Sequence, residues 1–435
     1  MPTTLKKSLA ALLAVFMAAP LLAAQASAKT EFTIHNPYKN VDWETCRPYR
    51  SELHTHSTVS DAYSDFSAMI EAYYEKGYDI LAMTDHGVVD RGWVRPNVMP
   101  LRRLGSRMNP DSYPRLEVTG LSRERWREIS EGVGRGGQKL LRVPFGIEQN
   151  PSVSDLGHVN SWFADWGQGY PGGNGDYETP VRGVSRAGGL CVINHPSISM
   201  GNGSLSLSEM YEGDHVDYVY KIQRLLEKYP ALIGIDITRA ADHKLWDILL
   251  RNLAPAGRNV FGIGTSDAHS VDQIDSGGWV WAHMPDNTVQ NLRRCLEEGA
   301  FFAATRTGRG APEPMVTGIT ARDGVISISA QHYEEVRWIS DGKVIAMGDI
   351  LTLADCESLG AYVRAEISGE GGILYTQPFL LRFEGMPVGN PVPKEFRDTY
   401  EPWNGFLDGQ VYAFVRRYLI HPLTWFADLF WKVIW

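Results

Sequence analysis

Basic charge is in short supply: 42 Lys and Arg stand against 51 Asp and Glu, a formal net charge of -9. That balance offers nucleic acid no general electrostatic footprint, so nucleic acid is not expected as a stable partner. Cysteine is scarcer still, four residues in 435 (Cys46, Cys191, Cys295, Cys356), and no two form a CxxC pair. A disulfide framework is excluded, although an oxidising compartment would permit one bridge. Cys191, inside the apolar run Leu190 to Ile193, reads as a buried strand residue. No internal repeat and no low-complexity segment occurs. What is present is 43% hydrophobic residues with 13 Trp and 19 Tyr, which excludes disorder, a collagen-like fibre and a polytopic membrane protein. The length suits two or three domains, or one barrel of about 250 residues with an appendage.

Residues 1–28 stand apart. Lys6 and Lys7 precede an apolar run from Leu9 to Ala24, which reaches the small-x-small triplet Ala26-Ser27-Ala28. This is the pattern of a secretory signal peptide cut after Ala28, and it predicts a periplasmic or secreted protein. Loss of the two lysines takes the net charge from -9 to -11.

Beyond residue 28, short apolar runs alternate with amphipathic segments, the pattern of strand–helix units. Strands are expected at Arg50 to His54, Asp79 to Thr84, Leu141 to Glu148, His158 to Phe163, Leu190 to Asn194, Ala231 to Ile237 and Asn259 to Gly264. Seven such runs suggest a barrel. Asp65 can cap a helix bearing Met69, Ile70 and Tyr73 on one face, with Gly77 ending it; Val216 to Tyr229 and His243 to Leu253 share that spacing. From about Pro312 to Phe383 the period changes to two, as in Val325-Ile326-Ser327-Ile328, which predicts a small antiparallel β-sandwich. The expected division is 1–28, a barrel over 29–310 with an Arg-rich insertion at 91–140, a sandwich over 311–385, and a linker and aromatic tail over 386–435. The insertion reads as a solvated surface excursion, or as a lid for an anionic substrate. The tail from Val411 to Trp435 is expected to dock on the folded domains, the alternative being weak contact with a membrane surface.

His54-Thr55-His56 closes the first expected strand, and alternate strand residues share a face, so both imidazoles can point at one ion. Similar residues recur at later strand ends. Asp61 lies in Ser60-Asp61-Ala62, Thr84-Asp85-His86-Gly87 closes the second strand, Glu148 the third, His158 opens the fourth, Asn194-His195-Pro196 follows the fifth and Asp267-Ala268-His269 the seventh. Asp236, inside the sixth, is left unassigned. Six of 12 histidines sit at strand ends, where core histidines would not collect. Imidazole and carboxylate are the ligands of zinc, manganese and iron, and barrel active sites lie at such a rim. The other histidines, His283 among them, default to surface or packing.

In that order, HxH, Ser-Asp, Thr-Asp-His-Gly, Gly-Ile-Glu, a mid-chain His, Asn-His-Pro and Ser-Asp-Ala-His, the segment Ser51 to Thr307 resembles the polymerase and histidinol phosphatase (PHP) family of metal-dependent phosphoesterases. The resemblance implies a distorted (β/α)7 barrel holding two or three divalent ions. It places the ligands on His54, His56, Asp61, His86, Glu148, His158, His195, Asp267 and His269, with Glu148 bridging two ions. Asp85 is expected to orient a histidine ligand, and Arg239 or Arg306 to grip a phosphate. The function so implied is hydrolysis of a small phosphorylated substrate by hydroxide generated at the metals. Two other readings compete. An amidohydrolase also opens with HxH, but no Lys follows the fourth strand here, and the final motif is Asp-x-His. A periplasmic metal-binding protein without catalysis would not need so complete a ligand set.

Overall fold

The computed structural model describes residues 31–98, 118–149, 157–169, 176–200, 206, 208–307, 310–397 and the positions 418, 419, 422 and 426. The expected signal peptide, the centre of the Arg-rich insertion and nearly all of the aromatic tail lie outside the described residues.

Among the described residues, eleven strands precede residue 310: β1 (Thr33–His35), β2 (Arg47–Thr55), β3 (Ile80–Met83), β4 (Leu141–Arg142), β5 (Ile147–Gln149), β6 (Val159–Trp162), β7 (Leu190–Ile193), β8 (Leu232–Asp236), β9 (Phe261–Ile263), β10 (Gly278–Met284) and β11 (Phe301–Arg306). Eight follow: β12 (Met315–Arg322), β13 (Val325–Gln331), β14 (Glu335–Ser340), β15 (Lys343–Met347), β16 (Ile350–Thr352), β17 (Tyr362–Gly369), β18 (Gly372–Thr376) and β19 (Phe379–Arg382). The helices are α1 (Phe66–Glu75), α2 (Arg123–Glu131), α3 (Glu178–Arg186), α4 (Pro196–Ser199), α5 (Asp214–Lys228), α6 (Ala240–Leu253) and α7 (Val289–Glu298). Asp65 caps α1 by accepting from the Ser67 amide, Met69, Ile70 and Tyr73 are buried on its inner face, and Gly77 leaves it at φ +83°. No helix among the described residues is long and apolar enough to cross a membrane.

The expected distorted (β/α)7 barrel is not seen as one continuous sheet of these strands. They divide between a sheet in which β2, β3 and β4 run parallel and a second in the order β5-β6-β7-β8-β9. One break falls inside the third expected strand, between β4 and β5, and the other lies at β9, which pairs with β8 alone among the described strands. Pro144 has no amide to give a ladder, Phe145 takes φ +61°, and a Cβ on Gly146 would stand 2.4 Å from the Met83 carbonyl oxygen. A second departure is direction: β6 is antiparallel to both β5 and β7. The sheets nevertheless share one core, with Leu53, Ile80 and Ala82 packed in the same buried cluster as Trp162, Val192 and Ile263. Asn160 Nδ2 and Trp162 Nε1 both donate across the gap to the Leu53 carbonyl, at 2.9 and 3.0 Å. Single bridges, Thr55 with Ala268 and His86 with Glu148, tie the loops above.

The antiparallel strands past residue 312 extend the first sheet, since β18 pairs with β11 from Phe302↔Thr376 to Arg306↔Gly372. Strands β12, β13 and β16 form a separate layer whose Val316, Ile319, Ile326 and Ile328 pack with Val336, Trp338, Val363 and Ala365. Cys191 is fully buried in β7, and all four cysteines are free. In the described parts of the Arg-rich insertion and its flank, Arg91, Arg125, Arg135 and Arg142 pair with Asp165, Glu71, Asp79 and Asp90.

Candidate metal centre

Strand β2 delivers two imidazoles to one place because its side chains alternate. His54 Nε2 and His56 Nε2 lie 3.0 Å apart, and both rings are fully buried. Beneath them on the same face is Glu52, whose Oε1 accepts from the His54 amide at 2.9 Å and the Ser266 amide at 3.3 Å. Burial pushes the Glu52 carboxyl up to about 8. Sequence reasoning missed Glu52, although its spacing of two from His54 was the available signal.

Asp61 sits on the turn that follows β2. Asp85 holds that turn: its carboxylate accepts from the Ser57 amide (2.8 Å), Ser57 Oγ (2.8 Å), the Ser60 amide (3.0 Å) and Ser60 Oγ (2.7 Å). Asp85 has no hydrogen bond to a histidine among the described contacts; it meets two serines, and one of them, Ser60, places its Oγ 3.3 Å from His56 Nδ1 and 2.9 Å from Asp61, so any orienting of His56 by Asp85 runs through Ser60.

His86 follows β3 and Glu148 lies within β5. His158 precedes β6, and the antiparallel run of that strand brings its first residue to the rim that the other strands reach with their last. His195 follows β7 at φ 28°, and Asp267 follows β9 at φ 52° with His269 two residues on. Non-glycine residues at positive φ cost roughly 1–3 kcal/mol and persist where surrounding structure enforces them.

Glu148 is the hub. Its Oε1 lies 3.4 Å from His54 Nε2, 3.1 Å from His158 Nδ1 and 3.3 Å from His195 Nε2; its Oε2 lies 3.3 Å from His56 Nε2 and 3.0 Å from His86 Nδ1. Asn194 Nδ2 donates to Oε1 at 2.7 Å, a contact that the Asn-His-Pro motif carried without its role being read. Asp267 Oδ1 approaches His54 and His56 Nε2 at 3.4 and 3.2 Å. Asp61 approaches His86 Nε2 at 3.5 Å and His269 Nε2 at 3.6 Å. Three groups within the shell could each hold an ion: His56, Asp61, His86 and His269; His54, His56 and Asp267; and His86, Glu148 and His158. Ligands about 2.0–2.2 Å from one ion stand roughly 3.0–3.5 Å from each other, which is the spacing observed. The donors are nitrogen and oxygen with no thiolate, and buried Nδ1 atoms of His86 and His158 lack hydrogen-bond partners. The residues fit divalent ions.

The electrostatics agree. Burial opposes charge on Glu148, but the surrounding imidazoles, His158, His54 and His86 foremost, hold its pKa well below the carboxylate range. Burial likewise opposes charge on His56 and His86. Bonds to Asp267 and Glu148 nevertheless lift His56 well above the imidazole value, and the Glu148 charge lifts His86 to about 9. Negative charge this concentrated, in a buried shell, is what a cation would meet. The shell opens on one side: Asp61, Asp267 and His269 side chains are 36%, 27% and 26% exposed, while His54, His56 and Glu148 are closed.

The two arginines differ in place. Arg239 is exposed at the start of α6. Arg306 ends β11 and donates to Glu313 at 2.8 Å in a group with Arg50 and Trp279, and its described contacts include none of the shell residues.

No protein-family model matches the sequence, and no curated protein matches it. Among solved structures, the chain is similar to a two-domain protein of Bacteroides vulgatus containing a predicted PHP-like metal-dependent phosphoesterase. The identity is 14%, the match covers 81% of this chain and 99% of that one, and the TM-score is 0.42. A likeness so distant leaves function to the shell itself.

Proposed function

We propose that this chain is a metal-dependent hydrolase of phosphate esters that works with two or three divalent ions, zinc, manganese or iron. The observation that carries the reading is Glu148, one carboxylate with an oxygen facing His54, His158 and His195 and the other facing His56 and His86. That is the arrangement for bridging adjacent ions. Bound there, the ions would polarise a phosphoryl group and bring the pKa of water toward neutrality. The protein's part is to hold the donors and to leave one side open. Asp61, Asp267 and His269 border that opening, where a substrate phosphate meets the shell. Arg239 is the proposed cationic grip on the phosphate. The substrate is a small phosphorylated molecule met outside the cytoplasm, in keeping with the signal-peptide pattern of residues 1–28.

Turnover of a phosphomonoester and a phosphodiester by metal-loaded full-length protein tests the reading, with amide and deamination substrates in parallel. Phosphate release that chelator abolishes is the expected outcome. Hydrolysis of amides alone would establish the amidohydrolase alternative, and absence of any turnover from a fully metallated protein would leave a binding protein.

A further inference from the structure

Metal-binding histidines are usually oriented by a hydrogen bond at their second ring nitrogen. His56 Nδ1 has Ser60 Oγ, and His269 Nδ1 has the Asp267 carbonyl at 2.9 Å. His195 turns Nε2 to Glu148 while its buried Nδ1 has no partner. His54 shares that lack, but it lies in β2, where the ladder fixes its backbone. His195 lies past the end of β7, outside any ladder, at φ 28° and ψ 54°, a left-handed conformation that is uncommon for a residue with a side chain. Its orientation has to be imposed through the backbone of the turn 194–197.

One side chain grips that turn from outside the shell. Asp242, in the first turn of α6 and fully buried, accepts the Ser197 amide at 2.6 Å. It does so at a cost. Burial, and then the neighbouring Asp236 carboxylate, push Asp242 up to about 7, and its Oδ2 has no hydrogen-bond partner. A carboxylate placed so poorly for its own solvation is dearer than an apolar residue of similar size, which points to a task other than packing. Farther along α6, Asp247 accepts Arg364 Nε and Nη2, both at 2.8 Å, and the Tyr362 hydroxyl at 2.8 Å, all from β17. The helix is thus pinned to the C-terminal sheet at its middle and to the His195 turn at its start.

We infer that Asp242 is a positioning residue, which holds His195 against Glu148 through the Ser197 amide, and that the C-terminal sheet anchors this hold by way of α6. The inference rests on the metal-centre reading above and gives the C-terminal strands a part in it. Asp242 touches no ion and no substrate. It keeps the turn in the one conformation that presents Nε2 to the shell.

The test uses chelator-stripped full-length protein titrated with Co²⁺, followed by the visible absorption of the bound ion, and then with Zn²⁺ in competition. Asp242→Ala, and Asp242→Leu which fills the space without an acceptor, should weaken at least one site by about 10- to 100-fold and alter the Co²⁺ spectrum. Asp242→Asn keeps an oxygen for the Ser197 amide and should restore most of the affinity. Near-UV circular dichroism of the metal-free variants verifies the fold; if the Ala variant does not fold, the Leu and Asn pair decides. Wild-type affinity and spectrum in the Leu variant would overturn the inference, as would equal losses in the Leu and Asn variants. A wild-type protein that binds neither ion would overturn the metal-centre reading itself.

Discussion

His54 Nε2 and His56 Nε2 face each other at 3.0 Å inside a closed pocket, with Asp267 Oδ1 3.4 and 3.2 Å away. Two neutral imidazoles in that position can share only one proton between their facing nitrogens, whereas a divalent ion takes all three donors. Purified protein is expected to carry two or three divalent ions per chain by elemental analysis. Chelation should lower the melting temperature, because ions held only by the folded state stabilise it, by about 2.7 kcal/mol at a hundred times Kd.

Glu148→Gln preserves shape and removes the charge that five imidazoles surround. Ion content should fall by at least one per chain, and phosphoester turnover by orders of magnitude. His269→Ala, on the open side, should lose turnover with little change in the melting temperature of the metal-free protein. Turnover near wild type in either variant would remove that residue from the site.

Asp85 satisfies two buried amides and two serine hydroxyls of the Asp61 turn. Asp85→Ala leaves those donors unmet, at about 1–3 kcal/mol for each that water does not reach. Denaturant melts should show a loss of at least about 2 kcal/mol, together with weaker metal binding through displacement of Asp61.

His283 is buried against Trp43 and Phe302, away from the centre, and burial depresses its pKa to about 4. Between the ordinary imidazole value near 6.5 and pH 4, the unfolded chain binds a proton that the folded chain refuses. Stability contributed by the neutral ring is therefore whole above about pH 6.5 and declines as pH falls, by about 3 kcal/mol in all. His243, also depressed to about 4 by burial, acts in the same direction. Melting temperature against pH should show this acid limb, and His283→Phe should flatten it.

Arg364 and Asp247 form a bidentate pair with 3% and 6% of their side chains exposed. Arg364→Met alone strands a buried carboxylate and should cost about 3–5 kcal/mol, while the double variant with Asp247→Leu should recover most of it. Chemical denaturation of the three proteins measures the difference.

The strand-end histidines were legible because a side-chain period of two needs only neighbours along the chain, and because polar residues closing apolar runs stand out against them. Asp65 as a cap and Gly77 as a terminus were legible for the same reason, the physics of one helical turn. Glu52 carried the same spacing but was not read, since a lone carboxylate in a strand has no local mark of burial.

Local pattern has no direction, and what it left open was settled by pairing between distant segments. A strand alternates identically whether it runs up or down, so only the register of β6 against β5 and β7 decides that His158, at the start of its strand, meets Glu148. The break after β4 arises where Gly146 must pass close to Met83 of another strand, which composition does not announce. Asp85 was read as the orienter of a histidine and Arg306 as a partner for phosphate, but the partners each meets are those that folding brings nearest: Ser57 and Ser60, with Ser60 Oγ beside His56, for one, and Glu313 for the other. Sequence alone determined which residues could serve a metal centre; the tertiary structure decided which of them meet, because contact across sheets depends on strand direction and register, properties that no single segment contains.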